Sequence, residues 1–200
     1  QDLPIALLPF LNDIRTSRGD SLLSEGMLFQ PNLAAARPNL PKVNDRYNQS
    51  DFLALVRKLR QMYQLALAGL IRGDQITQNI NYISKVLLRL IKECPKTPLS
   101  QSWKVALAFC EGISNNSIKV SASTIQLLKL LELDIKQVQE LGTQALSVFA
   151  NDELVKNLLY YVATSNQSVS YTAKIAKLYQ LSKALPDDKT LKQLQSLNGP

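Results

Sequence analysis

Apolar residues in this chain recur every three or four positions, the spacing that lays a single stripe along a helix, and no segment carries the alternation of a half-buried strand. Leu7, Leu8, Leu11 and Ile14 predict a first helix over residues 3–15, with Gly19 as its stop. From there to about Gln49 no period is sustained. Pro31, Pro38 and Pro41 interrupt the stretch, and the patch Met27, Leu28, Phe29 stands alone in it. A structureless loop of this length is unusual inside a compact domain. It either packs as a belt anchored by Phe29 or links the first helix to a separate helical body.

A second helix runs from a cap at Ser50 to Arg72, closed by Gly73, with Phe52, Leu55, Val56, Leu59, Met62, Ala66 and Leu70 inward. Asp74 caps a third, which buries Ile76, Ile80, Ile83, Leu87, Leu90 and Ile91. It ends at the Cys94-Pro95 step, where the ring disfavours helical backbone before it. A turn this short makes the two helices an antiparallel hairpin. Thr97-Pro98 reads as N-cap and first position of a helix that buries Trp103, Ala106, Leu107, Cys110 and Ile113 and stops near Asn115-Asn116.

Ser121 or Ser123 opens the longest pattern, a stripe of Leu128, Leu131, Ile135, Val138, Leu141, Ala145 and Phe149 that Gly142 could split. Asn151 caps a helix with Leu154, Leu158, Tyr161 and Val162 inward, and Asp152 and Glu153 suit its positive end. Ser168 or Ser170 begins another, through Ala173, Ala176, Tyr179 and Leu185 to Pro186. Asp187 begins a final short one with Leu191 and Leu194. The fold class is all-α: an irregular bundle of about seven helices built from antiparallel αα-hairpins, with no fixed repeat. Residues 1–49 form an N-terminal helix plus a long Pro-containing connector and residues 50–200 the bundle, or the whole is one domain.

Composition sharpens this picture without redirecting it. Seven glycines in 200 residues and 46% hydrophobic content fit a helical chain with one sizeable core. The chain starts at Gln1, and Pro4 and Pro9 interrupt an early apolar run that lacks a basic flank, so no signal peptide is read and the chain is expected to be a soluble piece of something larger. Lys or Arg punctuates every long helix, so no membrane span is expected. The net charge of +7 is concentrated: residues 51–110 hold nine basic residues against three acidic ones. Such a field suits an acidic protein, a nucleic acid or an anionic membrane, or is simply a solvated helix face.

The chain contains no histidine, which removes the usual general base near neutral pH, the usual zinc ligand set and any phosphoaccepting imidazole. Cys94 and Cys110 lack a basic partner of the kind that activates a thiol. They read as free core thiols of a reducing compartment, with a disulfide across one hairpin as the alternative. No glycine-rich phosphate loop is present. The adjacent pairs Asp152-Glu153 and Asp187-Asp188 stand at helix starts, where the dipole accounts for them, and Glu132, Asp134 and Glu140 read as solvated helix charge among Lys129 and Lys136. Arg57, Lys58 and Arg60 invite a nucleic-acid reading with Tyr63 and Tyr47 as stacking partners; the plainer account is the outer face of an amphipathic helix. Tyr160-Tyr161 points to two faces of one helix, so one ring packs and the other can meet a neighbour.

Particular strings say more than composition does. These are Arg57-Lys58-Leu59-Arg60-Gln61-Met62-Tyr63-Gln64-Leu65-Ala66-Leu67-Ala68-Gly69-Leu70-Ile71-Arg72, then Asp152-Glu153-Leu154-Val155-Lys156-Asn157-Leu158-Leu159-Tyr160-Tyr161-Val162-Ala163, then residues 181–186 and the closing Leu197-Asn198-Gly199-Pro200. Together they resemble the FimL family, the twitching-motility scaffold and the similar N-terminal region of ChpA-type chemotaxis histidine kinases. Residues 3–26 also look like the segment that follows the first phosphotransfer-like domain of that family.

The resemblance implies a second domain lying between phosphotransfer-like domains, in a cytoplasmic signalling assembly at the cell pole that governs type IV pili. Such a domain would be a non-catalytic spacer or docking surface, since a histidine-free segment carries no phosphorelay imidazole, and any kinase activity would belong to other domains of a ChpA-type parent. The implied partners are a response regulator or polar hub protein of the pilus system and the neighbouring phosphotransfer-like domains, with no cofactor and no nucleic acid. Arg57, Lys58, Arg60, Lys156 and Tyr160 are the candidate contact surface. A basic helical nucleic-acid-binding domain is the alternative.

Overall fold

The computed structural model describes residues 29–37, 39–165 and 170–184. The expected first helix over residues 3–15 and the final one from Asp187 lie outside the described residues. Those described are all-α, with eight α-helices, two short 3-10 turns at Leu33–Ala36 and Asp45–Asn48, and no strand among them.

Helix α1, Ser50–Arg72, is amphipathic and buries Val56, Leu59, Tyr63, Ala66, Leu67 and Leu70. Gly73 ends it in the left-handed region (φ 74°), where its N–H reaches Leu70 O at 3.0 Å and that of Asp74 reaches Gly69 O at 2.9 Å. Helix α2, Ile76–Glu93, returns antiparallel after Gln75, itself left-handed at φ 42°. Neither expected cap operates at this hairpin. Gln49 holds the N-cap position of α1 and Ser50 lies inside the first turn; Asp74 pairs with Arg72 at 3.1 Å and leaves the start of α2 to Ile76. The residues that terminate α1 are consumed in doing so.

A second difference concerns which way α1 faces. Met62, expected inward, is 43% exposed, and Tyr63 beside it is fully buried. Helix α1 packs on α2 along one flank and on α4, Ala122–Leu141, along the other, so its buried arc turns toward Tyr63. The Tyr63 hydroxyl donates to Leu128 O of α4 at 2.6 Å.

Helix α3, Pro98–Ser114, is the central element, packed on α2, on α6 (Asp152–Thr164) and on α7 (Ser170–Leu178), and buried around nearly its whole circumference. Thr97 precedes it in extended backbone with Pro98 at the first helical position. Helix α4 starts at a capping box between Ser121 and Thr124.

The long stripe expected through Phe149 breaks at Gly142 (φ 54°), and α5, Thr143–Leu146, turns away. The cause is the segment before α1. Asn48 Oδ1 accepts from Thr143 N at 2.9 Å, the Thr143 hydroxyl donates to Asn44 O at 2.7 Å, and a Cβ on Gly142 would lie 2.4 Å from Tyr47 O. Asn151 caps α6 as expected, accepting from Glu153 N at 2.8 Å.

The helix expected up to Pro186 is split as well. Gln180 adopts φ 52°, and α8, Leu181–Ala184, follows the break. Glu111 of α3 accepts the Tyr171 N–H at 3.0 Å, placing a carboxylate at the amino end of α7. Phe29 is fully buried with its ring edge-on to Tyr160, centroids 5.8 Å apart, and Gln30 N reaches Ala184 O at 3.3 Å. Phe29 and Tyr47 thus enter the same apolar cluster as Trp103 and Leu131.

Candidate partner-contact surface

Four of the seven cationic and aromatic residues singled out in the sequence are committed to packing. Arg60 crosses from α1 to α4, where its Nε lies 2.5 Å from Glu132 Oε1 and its Nη1 3.2 Å from Gln139 Oε1; Gln64 Nε2 reaches the same glutamate oxygen at 3.0 Å. The Arg60 and Glu132 side chains keep only 21% and 13% exposure, so this is a partly buried clasp that fixes α1 against α4. Tyr63 and Tyr47, the prospective stacking residues, are 0% and 3% exposed. Tyr47 packs edge-on against Phe52 with centroids 5.0 Å apart.

Tyr160 is 1% exposed, between Phe29 and Tyr161, and lies in the core. Lys156, on α6, is half-buried and 4.0 Å from Glu153. Only Arg57 and Lys58 stand fully on the surface.

The acidic trio read as solvated divides in the same way. Glu140 is exposed, Glu132 is in the clasp, and Asp134 is half-buried with Oδ2 out of solvent and lacking a hydrogen-bond partner. Burial pushes the Asp134 carboxyl up to about 6. Cys94 and Cys110 are free and buried, and burial pushes both thiols up to about 12. Each is thereby protonated and shielded at neutral pH.

Among the described residues no group of three or more Cys, Asp or Glu is placed to hold a metal ion. A hollow beside Arg37, Phe149 and Tyr179 offers about 20 Å³, room for a water molecule and too small for a substrate. Larger concavities are open clefts, such as one of about 470 Å³ between Tyr47, Phe52 and Lys92. No helix among the described residues is long and apolar enough to cross a membrane.

What sequence reasoning missed is the company Arg57 and Lys58 keep. Met62, Leu65 and Tyr82 are 43%, 75% and 40% exposed on the α1–α2 hairpin, a set of large apolar side chains outside the core. Lys85 and Lys92 are exposed on α2, and neither makes an ion pair among the described residues; Arg89 is held by Glu93 at 2.9 Å. The available signal was that α1 carries more leucines than one buried arc can take.

The described residues form a helical bundle with its polar clasp turned inward and a basic, partly apolar hairpin turned outward. The chain belongs to the family of the FimL scaffold protein second domain, whose profile matches residues 48–192. It is 27% identical over 201 aligned positions to the Scaffold protein FimL of Pseudomonas aeruginosa, an alignment covering 100% of this chain and 35% of that relative. The chain thus spans about a third of the length of the curated relative it matches. No solved structure matches it.

Proposed function

We propose that this chain is a non-catalytic scaffold module that makes protein contacts within a type IV pilus, chemotaxis-like signalling system, in a FimL-like adaptor or a ChpA-type histidine kinase whose enzymatic activity resides in other domains. The observation that carries this reading is the family match over residues 48–192. It is supported by the outward basic hairpin. The partners it implies are pilus signalling proteins and the phosphotransfer-like domains flanking it in the parent, at the cytoplasmic cell pole.

The nucleic-acid alternative is not favoured, because Tyr63 and Tyr47 are withdrawn into the core and cannot stack on bases. Deleting this segment from the full-length parent and measuring co-purification of the pilus signalling proteins, together with twitching, tests the proposal. Loss of both is expected, and unchanged binding and motility would refute it.

A further inference from the structure

The two flanks of α1 are chemically different. Arg60 and Gln64 lie on the flank that reaches α4. On a helix of 3.6 residues per turn, Lys58, Met62 and Leu65 fall on the other flank, with Gly69. Gly69 meets Asn79 of α2 so closely that an added Cβ would stand 2.2 Å from Asn79 Nδ2.

That contact sets the antiparallel register and brings Met62 and Leu65 level with Val86 and with Tyr82 and Ile83. On α2, Asn81 faces α3, where its Oδ1 accepts from the Ser114 hydroxyl at 3.4 Å, so Tyr82 and Arg89, about 100° and about 80° further round the helix, fall on the flank toward α1. Val86 and Ile83 are buried. Met62, Leu65 and Tyr82 therefore border the outer seam of the hairpin while remaining 43%, 75% and 40% exposed.

The charges beside this seam are mostly positive, and Asp51, near the amino end of α1, is the one exposed carboxylate of the hairpin outside an ion pair among the described residues. Lys58 and Lys85 are exposed without an ion-pair partner among the described residues, and the Lys85 ammonium sits 5.6 Å from the centre of the Tyr82 ring. The neighbouring carboxylates are already engaged, Asp74 by Arg72 and Glu93 by Arg89. From Lys58 to Arg72 the seam runs for roughly 21 Å, about four helical turns.

We infer that the outer α1–α2 seam is a docking groove for an acidic amphipathic helix of a partner protein, its apolar ridge seated on Met62, Leu65 and Tyr82 and its carboxylates paired with Lys58 and Lys85. A third helix in the valley between two antiparallel helices continues the packing geometry of the bundle itself. The apolar contacts hold the helix, and the lysines set its orientation and exclude basic competitors. This assignment rests on the scaffold reading above and adds to it a face and a partner chemistry.

The test titrates the 200-residue chain with a fluorescein-labelled helical peptide of about 18 residues, leucine on one face and glutamate on the other, and with a twin in which lysine replaces every glutamate. Saturable binding of the acidic peptide is expected, with affinity reduced about tenfold or more in Leu65→Glu and in the Lys58→Glu/Lys85→Glu pair, and weakened by salt. Leu65 is three-quarters exposed, so an unchanged melting temperature confirms that its variant remains folded.

Equal binding of the lysine twin, no binding of the acidic peptide, or indifference to both variants would overturn the inference. Three rival occupants have their own signatures, each equally fatal to it: a dimer lost in Leu65→Glu, a peptide site that opens only when residues 1–28 are removed, or a DNA duplex that competes at the same seam. In the full-length parent, the two failures separate. If deletion of the segment abolishes partner binding and Leu65→Glu does not, the groove is wrong and the scaffold role stands; if deletion changes nothing, the scaffold role itself has failed.

Discussion

Asp134 is a carboxylate in the wrong place for a soluble helix, and replacing it should stabilise the protein in a pH-dependent way. Burial carries it from 3.8 to about 6, and its buried Oδ2 finds no donor. Below about pH 4 the group is neutral in the folded and unfolded chain alike and costs nothing. Between about 4 and about 6 the unfolded chain ionises it while the folded one holds the proton, so its contribution to stability falls as pH rises, and above about 6 the whole penalty applies.

A rise of roughly two pH units, at about 1.4 kcal/mol each, sets a ceiling near 3 kcal/mol. Solvent around a half-buried group brings the expected penalty to about 1–2 kcal/mol. Asp134→Asn keeps the shape and removes the charge. Calorimetry should therefore show the variant melting about 2–8 °C above the parent chain near neutral pH, with the gap closing toward about pH 4. The gap is the readout, because every other effect of acid on folding acts on both proteins alike. A gap that is the same at both ends of the range, or of opposite sign, would refute the reasoning.

Four further outcomes are expected. Leu59→Asp places a carboxylate on a side that is 7% exposed and should cost several kcal/mol, whereas Lys58→Asp on the solvent side should leave the thermal melt nearly unchanged; equal melts would mean the helix face is misassigned. Tyr63→Phe removes the 2.6 Å bond to Leu128 O and should lower the melting temperature by about 2–4 °C, for a loss of about 1 kcal/mol. Gly142→Ala must hold a left-handed backbone and drive a Cβ to 2.4 Å from Tyr47 O, and should cost about 2 kcal/mol or more in denaturant titrations. Cys94 and Cys110, with thiols at about 12 and no exposure, should resist a disulfide reagent in the native protein and release two equivalents on unfolding; fast native labelling of either contradicts their placement.

The all-α architecture was legible because each helix carries its own period and most carry their own punctuation: Gly73, Cys94-Pro95, Thr97-Pro98 and Asn151 all act where the sequence places them. What the sequence did not reveal depends on contacts between distant segments. Whether Gly142 would break the long stripe was decided by Tyr47, Asn44 and Asn48, almost a hundred positions earlier. Whether Met62 or Tyr63 faces inward was decided by α4 arriving on one flank of α1, and a period of 3.6 shared by two neighbouring positions could not foresee it.

The same logic governs the candidate surface. A cluster such as Arg57, Lys58 and Arg60 looks uniform in sequence, yet Arg60 stands about 200° round the helix from Lys58 and lands against Glu132, whereas Lys58 remains on the side of Leu65, on the open seam. Leu65 is the sharper clue. A leucine three-quarters exposed contributes little to the core it borders; it is its place beside the exposed Met62 and Tyr82, and not its exposure alone, that puts the proposed docking face on this hairpin.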